Sequence, residues 1–204
     1  MIKKQVFFIH GGNAYSSYEA FLEDLRTKTI YNLPSNPRQS RWTDTLSTDL
    51  GEMYEVFAPV MPNKQNAHYE EWKIWFERHF EYLTDGVILI GWSQGGYFLS
   101  KYLIEHTPPF SIKALIYVAA PSAPDDFGGE DGGDFAFPGD RIGEIGTKVE
   151  KIFIFHSSDD PVVPVSHAER YQQALPNATL VLFNDKNHFL VPELPALVTL
   201  VLSL

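Results

Sequence analysis

The residues best suited to do chemistry are a serine, a histidine and a pair of adjacent aspartates. The serine lies in Gly91-Trp92-Ser93-Gln94-Gly95-Gly96, with a glycine two positions to either side. From average glycine and serine frequencies, such a pattern arises by chance in roughly one chain in fifteen of this length. Its setting makes it specific. The apolar run Val87-Ile88-Leu89-Ile90 leads into it as a buried strand, and a helical pattern through Tyr97, Phe98, Tyr102 and Leu103 leads out of it. A strand–turn–helix of this kind exposes a serine hydroxyl on a strained backbone, and flanking glycines leave the room it needs. Ser93 then opens a helix, where the amide of Gln94 and the helix dipole favour a developing oxyanion.

A serine hydroxyl is a poor nucleophile until a base accepts its proton. Of the seven histidines, His188 is the best placed, on the loop Phe183-Asn184-Asp185-Lys186-Asn187-His188-Phe189 after the last expected strand. The strand before that one runs into Phe155-His156-Ser157-Ser158-Asp159-Asp160-Pro161-Val162-Val163-Pro164. A carboxylate at such a strand end can orient an imidazole and stabilise its protonated form. His10 and His156 also end strands and are expected to be structural hydrogen-bonders. His68, His79, His106 and His167 fall on helices or their ends without paired metal-ligand spacing, and no zinc site is expected.

These groups need a frame that brings three loops to one edge. Six short apolar runs read as buried strands: Val6–Ile9, Tyr54–Ala58, Val87–Ile90, Ala114–Val118, Ile152–Phe155 and Thr179–Phe183. Helices are expected to start near Ser16, Thr43, Gln94, Ser166 and Pro195. Another spans Tyr69 to Phe80, with Tyr69, Trp72, Trp75, Phe76, Phe80 and Leu83 at helical spacing as core residues. The alternation predicts an α/β fold with a mainly parallel six-stranded sheet and helices on both faces. Residues 27–41 read as a polar loop. Residues 121–141 hold Asp125, Asp126, Glu130, Asp131, Asp134 and Asp140 among glycines, and read as a solvated loop that could act as a lid. Phe127, Phe135 and Phe137 within it would either line an acyl pocket or tether the loop.

The 204 residues fit a single domain spanning 1–204, and no disulfide, thiolate metal site or cysteine nucleophile exists in a chain without cysteine. The 26 acidic residues outnumber the 16 Lys and Arg, for a net charge of −10. Such a charge repels nucleic acid and anionic membranes as main partners. The apolar run before His10 is too short for a secretory signal, and Leu190–Leu204, interrupted by Pro192, Glu193 and Pro195, is too short to span a bilayer. A cytoplasmic protein, monomeric or homodimeric, is expected.

From His10-Gly11-Gly12 to the C-terminal helix, with Ser93, an acid and His188 in that order, the chain resembles the α/β-hydrolases. It is most similar to the small single-domain serine hydrolases grouped with retinoblastoma-binding protein 9. Tyr54-Glu55-Val56-Phe57-Ala58-Pro59-Val60-Met61-Pro62 resembles the strand after the first helix in that superfamily. The resemblance maps an Asp-x-x-Val-Pro stretch onto Asp160-Pro161-Val162-Val163-Pro164. It thereby implies Asp160 as the triad acid, leaving Asp159 to hydrogen-bond the turn. It also implies a second oxyanion donor in His10-Gly11-Gly12-Asn13, the amide of Gly12 or of Asn13. Two N-terminal strands of larger relatives are missing, and no large cap fits between Val118 and Ile152. The implied activity is hydrolysis of a small ester-like substrate, carboxylester, thioester or amide, with no cofactor or metal and with Trp92 near the acyl group. The alternative is a protein-binding module that keeps the fold without the activity.

Overall fold

The computed structural model describes residues 3–30, 33–124 and 132–204. The elements in chain order are β1 (Lys4–Ile9), α1 (Tyr18–Thr27), α2 (Trp42–Leu50), β2 (Tyr54–Phe57) and α3 (Tyr69–Glu77). They continue with β3 (Val87–Trp92), α4 (Gln94–Glu105), β4 (Ile112–Val118), β5 (Ile152–Ser157), α5 (Ser166–Ala174), β6 (Thr179–Phe183) and α6 (Pro195–Ser203). All six expected strands pair in one sheet of order β2-β1-β3-β4-β5-β6, and every neighbouring pair is parallel.

A parallel sheet needs both faces covered, and the alternation along each strand supplies the apolar surface for two layers. Phe7 and Ile9 of β1 face a cluster with Trp72 and Phe76 of α3, Phe98 and Tyr102 of α4, and Tyr171 of α5. Val6 and Phe8 face the opposite cluster, with Trp42 and Leu46 of α2 and Leu197 and Val201 of α6. The central strand β3 is buried along its whole length. Helix α1 lies outside both layers and buries no residue; Ser17 caps it, accepting a hydrogen bond from the Ala20 amide at 3.1 Å.

Three expectations change. Trp75, expected in the core, is exposed, since α3 buries only Tyr69, Trp72 and Phe76. The aromatic helix stops at Glu77 rather than Phe80, and Phe80–Tyr82 form a 3-10 turn that packs the Phe80 ring edge-on against Phe76 and Phe110. The described part of the acidic segment is anchored to the core at a few points, while Asp134 and residues 138–140 stay exposed. Asp134 accepts a hydrogen bond from the Tyr69 amide at 2.9 Å and so caps α3 from a distance. Phe135 is fully buried against Tyr69, Trp72 and Phe98, and Phe137 packs on Tyr97. Lys101 donates to the carbonyls of Asp134 and Ala136. A second 3-10 segment, Gly139–Thr147, buries Ile142 and Ile145. Averaged composition hid these anchors, because three well-placed side chains outweigh the polar residues around them. Phe127, Asp125, Asp126, Glu130 and Asp131 lie outside the described residues.

The order of strands determines where a site can form. From β1 the chain runs outward to β2, then returns to β3 on the other side of β1, with α2 on one face and α3 on the other. Connections that diverge in this way leave a crevice outside the carboxyl ends of the two strands. No helix among the described residues is long and apolar enough to cross a membrane.

Candidate active site

Ser93 sits in that crevice, at the turn from β3 into α4, with φ 52° and ψ −123°. A non-glycine residue there carries strain of order 1–3 kcal/mol, which persists only if the surroundings enforce it. They do so by close packing. A Cβ on Gly95 would lie 2.2 Å from the Ile9 carbonyl oxygen, and one on Gly91 would lie 2.5 Å from the Gly96 Cα. Only glycine lets α4 start this close to β1 and β3. The Ser93 amide donates to the Val118 carbonyl of β4 at 2.8 Å, which locks the turn to the sheet.

His188 reaches Ser93 from the loop after β6, with Nε2 at 2.9 Å from Ser93 Oγ. Its Nδ1 lies 2.8 and 3.1 Å from the two carboxylate oxygens of Asp160. A carboxylate accepts only from a protonated nitrogen, so Nδ1 carries the hydrogen and Nε2 is left to accept from the serine hydroxyl. Asp160 also accepts from the amides of Val162 and Val163 at 2.8 and 3.0 Å. Its side chain is fully shielded from solvent, and three donors compensate the buried charge. Asp159 turns the other way: it accepts from the Ser157 hydroxyl and, at 3.0 Å, from the Asn187 amide.

The loop that carries His188 is itself strained. Asn187 and Phe189 have φ of 47° and 55°. Phe189 is fully buried against Phe183, and its carbonyl accepts from the Trp42 indole at 3.1 Å. Trp92 is buried too, with its indole N–H donating to the His188 carbonyl at 3.2 Å. Trp92 thus holds the histidine loop as well as lining the cavity.

Of the proposed oxyanion donors, the Gln94 and Gly12 amides have no acceptor among the described residues. The Asn13 amide, expected as an alternative to Gly12, donates instead to the Lys64 carbonyl at 2.8 Å, and the Asn13 carbonyl accepts from Ala67. These two bonds tie the loop after β1 to the loop before α3. His10 adds a third tie: Nδ1 donates to the Gly11 carbonyl at 2.6 Å and Nε2 accepts from the Met61 amide at 2.8 Å. This arrangement requires a neutral ring, and burial lowers the His10 pKa in agreement. A Cβ on Gly11 would lie 3.7 Å from Ser93 Oγ, so the loop borders the serine directly.

The crevice holds a cavity of about 550 Å³, lined by Gly11, Gly12, Trp92, Ser93, Gln94 and His188 among others. Phe135 and Phe137 lie away from it in the α3–α4 core and so act as tethers. Three lining residues, Arg38, Arg41 and Lys64, carry no signal in the sequence. Their loops read only as polar, and nothing in their spacing marks them. Among the described residues no group of three or more His, Asp and Glu is arranged to hold a metal.

Fold and site geometry together define an α/β-hydrolase fold with a Ser–His–Asp arrangement at its crevice. The sequence matches no protein-family model and no curated protein sequence. Solved structures do resemble it. The ydeN gene product of B. subtilis superposes with a TM-score of 0.74 at 19% identity, covering 98% of each chain. The meta-cleavage product hydrolase of Pseudomonas fluorescens gives 0.67 at 16% identity, over 98% of this chain and 89% of that one. A serine hydrolase from Cycloclasticus zankles gives 0.65 at 15% identity, over 98% and 88%. Likeness at these identities establishes the three-layer α/β-hydrolase fold.

Proposed function

We propose that the protein is a serine hydrolase that cleaves a small ester-like bond through an acyl-enzyme. The observation that carries this reading is the continuous hydrogen-bonded line from Asp160 through His188 to Ser93, at 2.8 and 2.9 Å. His188 Nε2 takes the hydroxyl proton as Ser93 Oγ attacks the carbonyl carbon, and the Gln94 and Gly12 amides receive the oxyanion. His188 then gives that proton to the leaving group as its bond to the acyl carbon breaks. Water attacks the acyl-enzyme next; His188 accepts its proton and returns it to Ser93 as the acid departs. Asp160 keeps Nδ1 protonated and the ring in register throughout.

Similar folds described as hydrolases and esterases support this chemistry. The absence of a large insertion between β4 and β5 supports placing it with the small hydrolases grouped with retinoblastoma-binding protein 9. An open cavity without a cap domain suits short acyl chains, and Trp92 stands at its wall.

The test is labelling with a fluorophosphonate, with the modified residue mapped by mass spectrometry. An adduct on Ser93 that disappears in His188→Ala is expected. Folded protein that takes up no label, and that turns over no p-nitrophenyl ester, would overturn the hydrolase reading in favour of a binding scaffold.

A further inference from the structure

The cavity beside Ser93 is cationic, although the protein as a whole is acidic. Among the described residues its lining includes Arg38, Arg41 and Lys64 and no aspartate or glutamate. The chain as a whole has 26 acidic residues against 16 Lys and Arg. A lining drawn at random from such a chain would favour carboxylates.

The three cations differ in what already binds them. Arg38 is engaged in a two-pronged pair with Asp44, at 2.8 and 2.9 Å. The same Asp44 accepts from the Arg41 backbone amide at 2.9 Å and attracts the Arg41 guanidinium only through space, without an ion pair. Neither Arg41 nor Lys64 has a carboxylate partner among the described residues. Arg41 is half-buried, with its guanidinium 5.8 Å from the centre of the Trp92 ring. That ring lies 5.9 Å from the ring of His188, so Arg41 and His188 both neighbour Trp92 and line the same cavity. Burial and the nearby Arg38 lower its pKa, and Asp44 offsets this only in part. An incoming anion would relieve both effects. A guanidinium fixed on an aromatic face also has the fork geometry to take a carboxylate through two hydrogen bonds.

We propose that the cavity selects substrates bearing a carboxylate, on the acyl chain or the leaving group, with Arg41 as the specificity-determining counter-ion and Lys64 assisting. This rests on the hydrolase reading above and narrows it to esters of anionic compounds.

The test uses two matched ester pairs: monomethyl against dimethyl adipate, and 4-carboxyphenyl against 4-(methoxycarbonyl)phenyl butyrate. In at least one pair the charged member is expected to have a kcat/KM about tenfold higher at low salt. That preference should shrink in about 0.5 M NaCl, where charges are screened within a few ångströms. Arg41→Gln should lower the charged-to-neutral ratio about tenfold, chiefly through KM. Lys151→Gln, at the opposite end of the sheet, should leave the ratio alone. A ratio of one or less in both pairs, or a ratio indifferent to Arg41→Gln, overturns the proposal while leaving hydrolysis intact. If neither member of either pair is turned over, hydrolysis itself is in question, and binding of adipate by calorimetry separates the two ideas. Adipate binding lost in Arg41→Gln supports the anion site; no binding overturns it. Inorganic phosphate binding more tightly than adipate would overturn the carboxylate assignment in favour of phosphorylated substrates.

Discussion

At the scale of single residues, the two adjacent aspartates show how one position apart separates two tasks. Asp160 lies against His188 Nδ1, whereas Asp159 pins the Asn187 amide and so shapes the loop that presents the histidine. Asp160→Asn should therefore reduce kcat by about 10³- to 10⁴-fold, because an amide can hold the wrong tautomer of the ring. Asp159→Asn should cost about tenfold or less, since its partners are N–H and O–H donors that an amide oxygen still accepts. Steady-state kinetics on one p-nitrophenyl ester checks both. Equal losses in the two variants would contradict the division of labour.

At the scale of elements, the site depends on how closely α4 can start to the sheet. Gly95→Ala would drive a methyl group into the Ile9 and His10 carbonyls, at 2.2 and 2.8 Å, which neither strand nor helix can yield cheaply. A loss of about 3 kcal/mol or more in urea unfolding is expected, together with loss of turnover. Phe135 offers the contrast. It is fully buried between α3 and α4, away from the cavity. Phe135→Ala should destabilise by about 3–5 kcal/mol while the folded fraction keeps its kcat/KM. A kcat/KM that falls in the folded protein would show that the segment after residue 132 also shapes the site.

At the scale of the whole molecule, buried neutral histidines make the fold sensitive to acid. Burial lowers the pKa values of His10 and His156, and His156 Nε2 donates to the Val163 carbonyl at 2.8 Å, next to the acid turn. An unfolded chain protonates these rings near pH 6.5, while the folded chain resists until lower pH. The unfolded state thus binds more protons below about pH 6.5, and stability drains away as pH falls through that range. Asp44 and Asp159, held below the usual carboxylate range by the Arg38 side chain and the Ser157 hydroxyl, act with the same sign in a lower window. Urea midpoints should drop between pH 7.5 and 5, and His10→Gln should flatten that slope. A midpoint unchanged across the range would mean that the two rings titrate normally.

Much of this was legible in the chain itself, because strand and helix periodicity are local and the elbow around Ser93 is contiguous. Val87–Ile90 could only be a buried strand, glycines two residues to either side of Ser93 admit a sharp turn, and an acid and a histidine after later strands imply parallel strand ends on one edge. What the residues could not tell was which neighbours compete for each polar group. The Asn13 amide, free by sequence, is taken by Lys64; Asp134, read as part of a solvated loop, caps a distant helix, and Phe135, read as either a pocket wall or a tether, packs on that helix; Arg41, unremarkable in a polar loop, comes to rest on Trp92. Each of these contacts joins residues 51 to 66 positions apart, where no periodic signal reaches. The chain determined its strands, helices and reactive side chains by local preference; tertiary packing alone determined their partners, because hydrogen bonds and charges are satisfied by whatever the fold brings within about 3 Å.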